Sequence, residues 1–77
     1  MPTILTLFGI RFFFYSKEHP AIHVHAEKGK GEAKINLEPQ VRLVYNQGLK
    51  KQELKKAIDV ATEHRNEFIA EWHKYFG

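Results

Sequence analysis

Residues 22–37, with the sequence IHVHAEKGKGEAKINL, decide the fold of this chain. Apolar and polar side chains alternate on both sides of a central segment that contains two glycines, a pattern typical of a half-buried β-hairpin. The alternation predicts strands over residues 22–27 and 32–37, joined by a turn at residues 28–31. The apolar members of the pattern, which should face the core, are Ile22, Val24, Ala26, Ala33, Ile35 and Leu37.

The rest of the chain extends this hairpin in both directions. The residues at 51–75 carry apolar side chains at three- and four-residue steps without glycine or proline, which indicates one long amphipathic helix. We therefore predict a single α+β domain over residues 1–77, with an antiparallel meander sheet of about five strands packed on one long C-terminal helix. The other predicted strands are residues 3–8, 10–16 and 41–45.

The histidines of the hairpin should lie opposite its apolar residues, because side chains alternate across a strand. His23, His25 and Glu27 then occupy the sheet face that points away from the helix. We expect this face to be open to solvent, and the alternative is an ordinary solvated sheet face without a function. The same parity in the neighbouring strands adds Arg11, Phe13, Tyr15 and Lys34.

The composition limits the classes to which the protein can belong. The 77 residues include no cysteine, so disulfides and thiolate metal sites are excluded. The net charge of +3 permits contact with nucleic acid or an acidic partner without requiring it. The apolar segment at residues 3–15 is too short for a membrane span and lacks the features of a signal peptide, so we expect a cytoplasmic protein without membrane contact.

Two histidines on one strand face indicate acid–base chemistry. A ribonuclease that works without metal needs a base, an acid and a cation for the phosphate. His23 and His25 can supply the first two roles, and Arg11 can supply the third. In this interpretation Glu27 orients an imidazole and Tyr15 donates a hydrogen bond or stacks. The alternative is that the histidines only form hydrogen bonds with backbone or turn groups.

Metal binding is a second interpretation of the same two histidines. His23 and His25 stand at i and i+2 of a strand, so both rings can reach one ion. Zinc sites normally use three or four protein ligands, and the spacing fixes only two here. We therefore expect neither a bound metal nor another cofactor.

Nucleic-acid binding is a third interpretation. An aromatic side chain on a sheet face can stack on an unpaired base while basic groups contact phosphates, and Phe13 and Lys34 fit these roles. The alternatives are a Phe13 that is simply packed and a helix face that is simply solvated. A lysine cluster at the start of the predicted helix is a further candidate contact with an anionic partner; its members are Lys50, Lys51, Lys55 and Lys56.

The segment from residue 10 to residue 25 resembles a known family of short bacterial proteins, catalogued as domain of unknown function forty-one-sixty. The resemblance extends over the whole chain, including Trp72. It rests on the runs IRFFFYS (10–16), EHP (18–20) and HVH (23–25). Residues 21–22 depart from the family, whose members often carry further prolines there. The residues that match the family's signature are Arg11, Tyr15, Glu18, His19, Pro20, His23 and His25.

The resemblance implies a component of a toxin–antitoxin-like pair, with a small cognate protein or a second copy as partner and a link to RNA or DNA. Glu18, His19 and Pro20 should shape the turn before the third strand. Our first hypothesis is that the protein binds or cleaves RNA through the open sheet face around His23 and His25. The second is a non-enzymatic module that binds a partner protein or a second copy of itself.

Overall fold

The computed structural model describes residues 3–15 and 21–77, which form a five-stranded antiparallel sheet followed by two helices. The elements are β1 (Thr3–Leu7), β2 (Ile10–Phe13), β3 (His23–Lys28), β4 (Gly31–Asn36), β5 (Arg42–Gln47), α1 (Lys51–Glu63) and α2 (Arg65–Phe76). The strands lie in the sheet in chain order, which confirms the predicted α+β meander. Among the described residues, no helix is long and apolar enough to cross a membrane.

The C-terminal helical segment is divided at His64, so the prediction of one uninterrupted helix is wrong in this detail. His64 has φ −102° and ψ 17°. Its N–H still donates to the Val60 oxygen at 2.8 Å, and its own oxygen accepts from the N–H of Phe68 at 2.9 Å. Next to the division, Nε of Arg65 donates to the Leu37 oxygen at 2.6 Å and ties the start of α2 to the chain just after β4. Because no glycine or proline marks the site, the apolar periodicity gave no signal for it.

The core lies between one face of the sheet and the two helices. Phe12 of β2 packs on Phe68 of α2 with ring centroids 5.5 Å apart, and Phe14 packs edge-on against Trp72 at 5.2 Å. The parity of the central hairpin is confirmed, although Ile22 is only partly buried. The buried members of this core are Ile10, Phe12, Phe14, Val24, Ala26, Ile35, Leu37, Ala57, Val60, Ala61, Phe68 and Trp72.

Two glycines bring the β3–β4 turn against the segment that precedes α1. A Cβ atom added to Gly31 would lie 2.7 Å from the carbonyl carbon and oxygen of Gly48 and from the nitrogen of Leu49. All three are backbone atoms, so no side chain can rotate away to make room. The Asn46 side chain holds the same segment, since its amide donates to the Leu49 oxygen at 3.0 Å and its oxygen accepts from the Leu49 N–H at 3.1 Å.

We expect Gly31→Ala to lower the free energy of unfolding by about 3 kcal/mol, because the added methyl group overpacks a backbone contact. Gly29→Ala is the matched control in the same turn. Gly29 has open space around it and φ +59°, so its substitution brings only the strain of a left-handed residue, about 1 kcal/mol. Urea denaturation of the two variants measures the difference, and equal losses would contradict the close approach at Gly31.

Candidate functional site

The residues predicted to share a functional face do lie together on the side of the sheet opposite the helices. Arg11 of β2 is directly opposite Glu27 of β3, and Phe13 is opposite His25. His25 is in turn opposite Lys34 of β4. The register therefore confirms that strand parity places these side chains on one face.

The expectation that this face is open is wrong for its centre. Phe13, His23 and His25 are each only 1% exposed. Aromatic rings surround His25: Phe13 stacks at 5.4 Å, Tyr15 meets it edge-on at 4.4 Å, and His23 does so at 5.0 Å. The ring of Trp72 in α2 contacts the His23 ring edge-on, with ring centroids 5.0 Å apart. The face is thus closed in part by its own side chains.

Glu32 is the hydrogen-bonding centre of the buried face. Its Oε2 lies 2.9 Å from Nδ1 of His25 and accepts from the hydroxyl of Tyr45 at 2.8 Å. Its Oε1 accepts from the hydroxyl of Tyr15 at 3.2 Å. An ionised carboxylate only accepts, so His25 donates from Nδ1. The carboxylate that bonds the His25 imidazole is that of Glu32, whereas Glu27, to which we assigned this role, pairs with Arg11.

Glu32 and Tyr45 are the site residues that reasoning from the sequence missed. Glu32 opens the predicted fourth strand with the same parity as Lys34, so alternation alone would have placed it on the histidine face. Tyr45 is opposite Lys34 in the β4–β5 pairing and therefore shares that face. The available signal was parity across neighbouring strands, applied to residues that carry no motif.

Arg11 and Glu27 form a separate ion pair on the same face. Nε and Nη2 of Arg11 donate to Oε1 of Glu27 at 3.1 and 3.0 Å, and Nη1 donates to the hydroxyl of Thr3 at 3.1 Å. The guanidinium carbon also lies 4.0 Å from the centroid of the Phe13 ring. The cation predicted to hold a phosphate is therefore already bound by a carboxylate.

His23 is held by the backbone. Its Nδ1 lies 2.7 Å from the carbonyl oxygen of Ala21, and because a carbonyl only accepts, Nδ1 is the donor. In a neutral imidazole that carries its hydrogen on Nδ1, the acceptor atom is Nε2. Within the described ranges, every buried side-chain nitrogen and oxygen has a hydrogen-bond partner.

The other predicted site residues do not join this cluster. The helical lysines are exposed on the first turns of α1 and on the residue before it, and they are Lys50, Lys51, Lys55 and Lys56. In the part of the chain that the structure describes, no group of three or more His, Cys, Asp or Glu side chains could hold a metal ion. The turn residues Glu18, His19 and Pro20 lie outside the described residues.

Fold and site together define a small α+β domain whose sheet carries a hydrophobic core on one face and a buried histidine–carboxylate cluster on the other. A family model described as "Domain of unknown function (DUF4160)" matches residues 9–73, and the chain belongs to this family. Searches of curated proteins and of solved structures gave no match.

We expect Glu32→Ala to lower the free energy of unfolding by about 3 kcal/mol, because it leaves one imidazole and two tyrosine hydroxyls without their shared acceptor. Glu27→Ala is the control on the same face. Its side chain is 41% exposed and its ion pair with Arg11 is partly solvated, so the expected loss is below about 1 kcal/mol. Chemical denaturation of both variants makes the comparison, and a larger loss for Glu27→Ala would refute the central role of Glu32.

Proposed function

We propose that this protein is a cytoplasmic, non-catalytic binding module of a bacterial toxin–antitoxin-like pair, and that it works as a homodimer. The observation that carries the non-catalytic part is the burial of His23 and His25, each 1% exposed. A general base must come within about 2.6–3.2 Å of the proton that it removes. Rings enclosed by Phe13, Tyr15 and Trp72 are not accessible to a substrate as large as RNA.

The hydrogen bonds of the cluster support a structural role. Nδ1 of His23 and Nδ1 of His25 are both engaged, one by a backbone carbonyl and one by the Glu32 carboxylate. A polar network that is fully satisfied fixes the arrangement of the strands that contribute to it. In our proposal the histidines hold the sheet together, and binding takes place at its periphery.

Strand β5 is the surface that we assign to the partner. All its residues except Tyr45 are exposed, and two of them are large and apolar, Leu43 and Val44. β5 lies at the end of the sheet and is paired with β4 alone among the described strands. Edge strands in monomeric proteins are normally protected by charged side chains, proline or a β-bulge. β5 contains no lysine or proline, and its protection is limited to one charge, Arg42, and one bulge.

A second copy of the chain is the occupant that fits this edge. Arg42 is the only charged residue of β5. If two copies pair symmetrically over the whole length of β5, Arg42 lies opposite Gln47 and no like charges meet. A bulge near Val44, where the register with β4 shifts, increases the local twist and keeps such a pairing short. The apolar residues of the opposite edge strand, β1, are instead partly buried against the core.

We expect the wild type to be a dimer in solution and Val44→Lys to be a monomer, because a charge on an edge strand opposes pairing. Tyr75→Lys is the matched control, since Tyr75 lies on α2 and, like Val44, is 48% exposed. Sedimentation equilibrium of the three proteins gives the masses. A monomeric wild type would refute the proposed homodimer, and a dimer that survives Val44→Lys would refute its assignment to β5.

RNA cleavage is the second candidate function, and one observation favours it. Glu32 holds Nδ1 of His25 at 2.9 Å, which is how a carboxylate orients a catalytic imidazole. Two tyrosine hydroxyls, from Tyr15 and Tyr45, converge on the same carboxylate. This function requires the enclosed rings to become accessible when RNA binds.

The binding function predicts that purified wild-type protein leaves RNA intact. The double substitution His23→Ala, His25→Ala is the comparison, with circular dichroism to establish that the double variant is folded. Gel analysis of a labelled RNA after incubation with each protein provides the measurement. Degradation by the wild type that is lost in the folded double variant would overturn the non-catalytic assignment and establish the ribonuclease.

A further inference from the structure

An exposed phenylalanine in a strained turn is unexplained by the fold. Phe8 and Gly9 form the two-residue turn between β1 and β2, and both have positive φ, 56° and 74°. Such turns favour asparagine and glycine, because a bulky side chain in the left-handed region is strained. Phe8 is nevertheless 58% exposed, so it gains little from burial in return.

The Phe8 ring borders a groove that is rich in lysine. The cavity has a volume of about 340 Å³, and its lining residues are Phe8, Ile10, Lys28, Lys50, Gln52, Glu53 and Lys56. Nζ of Lys56 lies 4.5 Å from the centroid of the Phe8 ring. Three lysines from two segments of the chain, the end of β3 and the start of α1, therefore lie beside one exposed aromatic ring.

Among the described residues that line this groove, Glu53 is the only acid, and it does not neutralise the three lysines. Two further acids, Asp59 and Glu63, line an adjoining cavity that shares Phe8 and Lys56 with the groove. Oε1 of Glu53 accepts from the backbone N–H of Lys50 at 2.9 Å, which caps the start of α1. Its Oε2 lies 3.7 Å from Nζ of Lys28. Three lysines against one glutamate leave the lining with an excess of two positive charges. Exposed Lys51 and Lys55 extend the positive surface along α1.

We propose that this groove binds single-stranded nucleic acid, with one unpaired base stacked on Phe8 and the adjacent phosphates held by Lys28, Lys50 and Lys56. Aromatic platforms beside basic grooves bind single strands in this way, because every base has a flat face and every nucleotide carries a phosphate. An acidic peptide would satisfy the lysines and leave the ring without a planar partner. A duplex would present no unpaired base to it. The proposal is independent of the pairing of β5.

The substitution Phe8→Asn tests this site without loss of the fold, because asparagine tolerates the left-handed turn conformation and has no ring for stacking. The probes are two fluorescent twelve-nucleotide strands, oligouridylate and oligothymidylate, with fluorescence anisotropy as the readout. We expect the wild type to bind, and we expect Phe8→Asn to weaken binding about tenfold. Tyr75→Asn, which removes an exposed aromatic ring from α2, should bind like the wild type. Tighter binding of the RNA probe would identify RNA as the source of the phosphate and base, and tighter binding of the other probe would identify DNA.

The lysines are tested by the salt dependence of binding. Lys28→Gln and Lys56→Gln should each lower the affinity and reduce the slope of log K against log salt by about one. Lys74→Gln, with a side chain 79% exposed on α2, should leave both unchanged. The proposal is overturned if the wild type binds neither strand, if Phe8→Asn binds as tightly as the wild type, or if oligoglutamate displaces the strand equally well from the wild type and Phe8→Asn.

Discussion

The histidine face depends on the hydrogen bonds that the Glu32 carboxylate accepts. The carboxylate stands in β4 and accepts from His25 of the neighbouring β3, from Tyr45 of the neighbouring β5 and from Tyr15, which follows β2. The Glu32 side chain is 22% exposed, and burying most of a carboxylate is costly unless donors replace the lost hydration. Three donors do so here, and in doing so they fix the positions of strands that are not themselves adjacent in the sheet. The cluster is consequently a second, polar core.

This second core explains how a 77-residue chain with helices on one side of its sheet can bury both faces of a central strand. In β3 the four residues from His23 to Ala26 are all buried. Small domains have little surface to remove from water and often need an additional source of stability. Here the aromatic and imidazole rings supply this additional stability, because they combine a large apolar area with a polar atom that can form a hydrogen bond. The surfaces that remain for binding lie at the edges of the sheet.

The alternation of side chains along the strands predicted the hairpin and its two faces from the sequence. It did not predict how exposed the side chains of each face are. Alternation in residues 22–37 placed the hairpin, its two faces and the neighbours of His25 correctly. It could not reveal that Phe13 and Trp72 cover the histidines, because burial depends on contacts between elements that no local pattern encodes. The division of the helix at His64 was not predicted because no glycine or proline marks it in the sequence. Glu32 was not predicted as a site residue because a carboxylate outside any motif cannot be distinguished in the sequence from an ordinary surface residue.

The backbone contact between Gly31 and Gly48 also affects the position of charged residues near it. These glycines sit close in the chain to Lys28 and Lys50, two of the lysines that line the groove beside Phe8. Since the backbones touch at these positions, the distance between a turn of the sheet and the start of a helix is fixed there. Two positions that have no side chains thereby set the spacing of the charges around them. Selection acting on that spacing would act on both glycines together, although neither could ever touch a ligand through a side chain of its own.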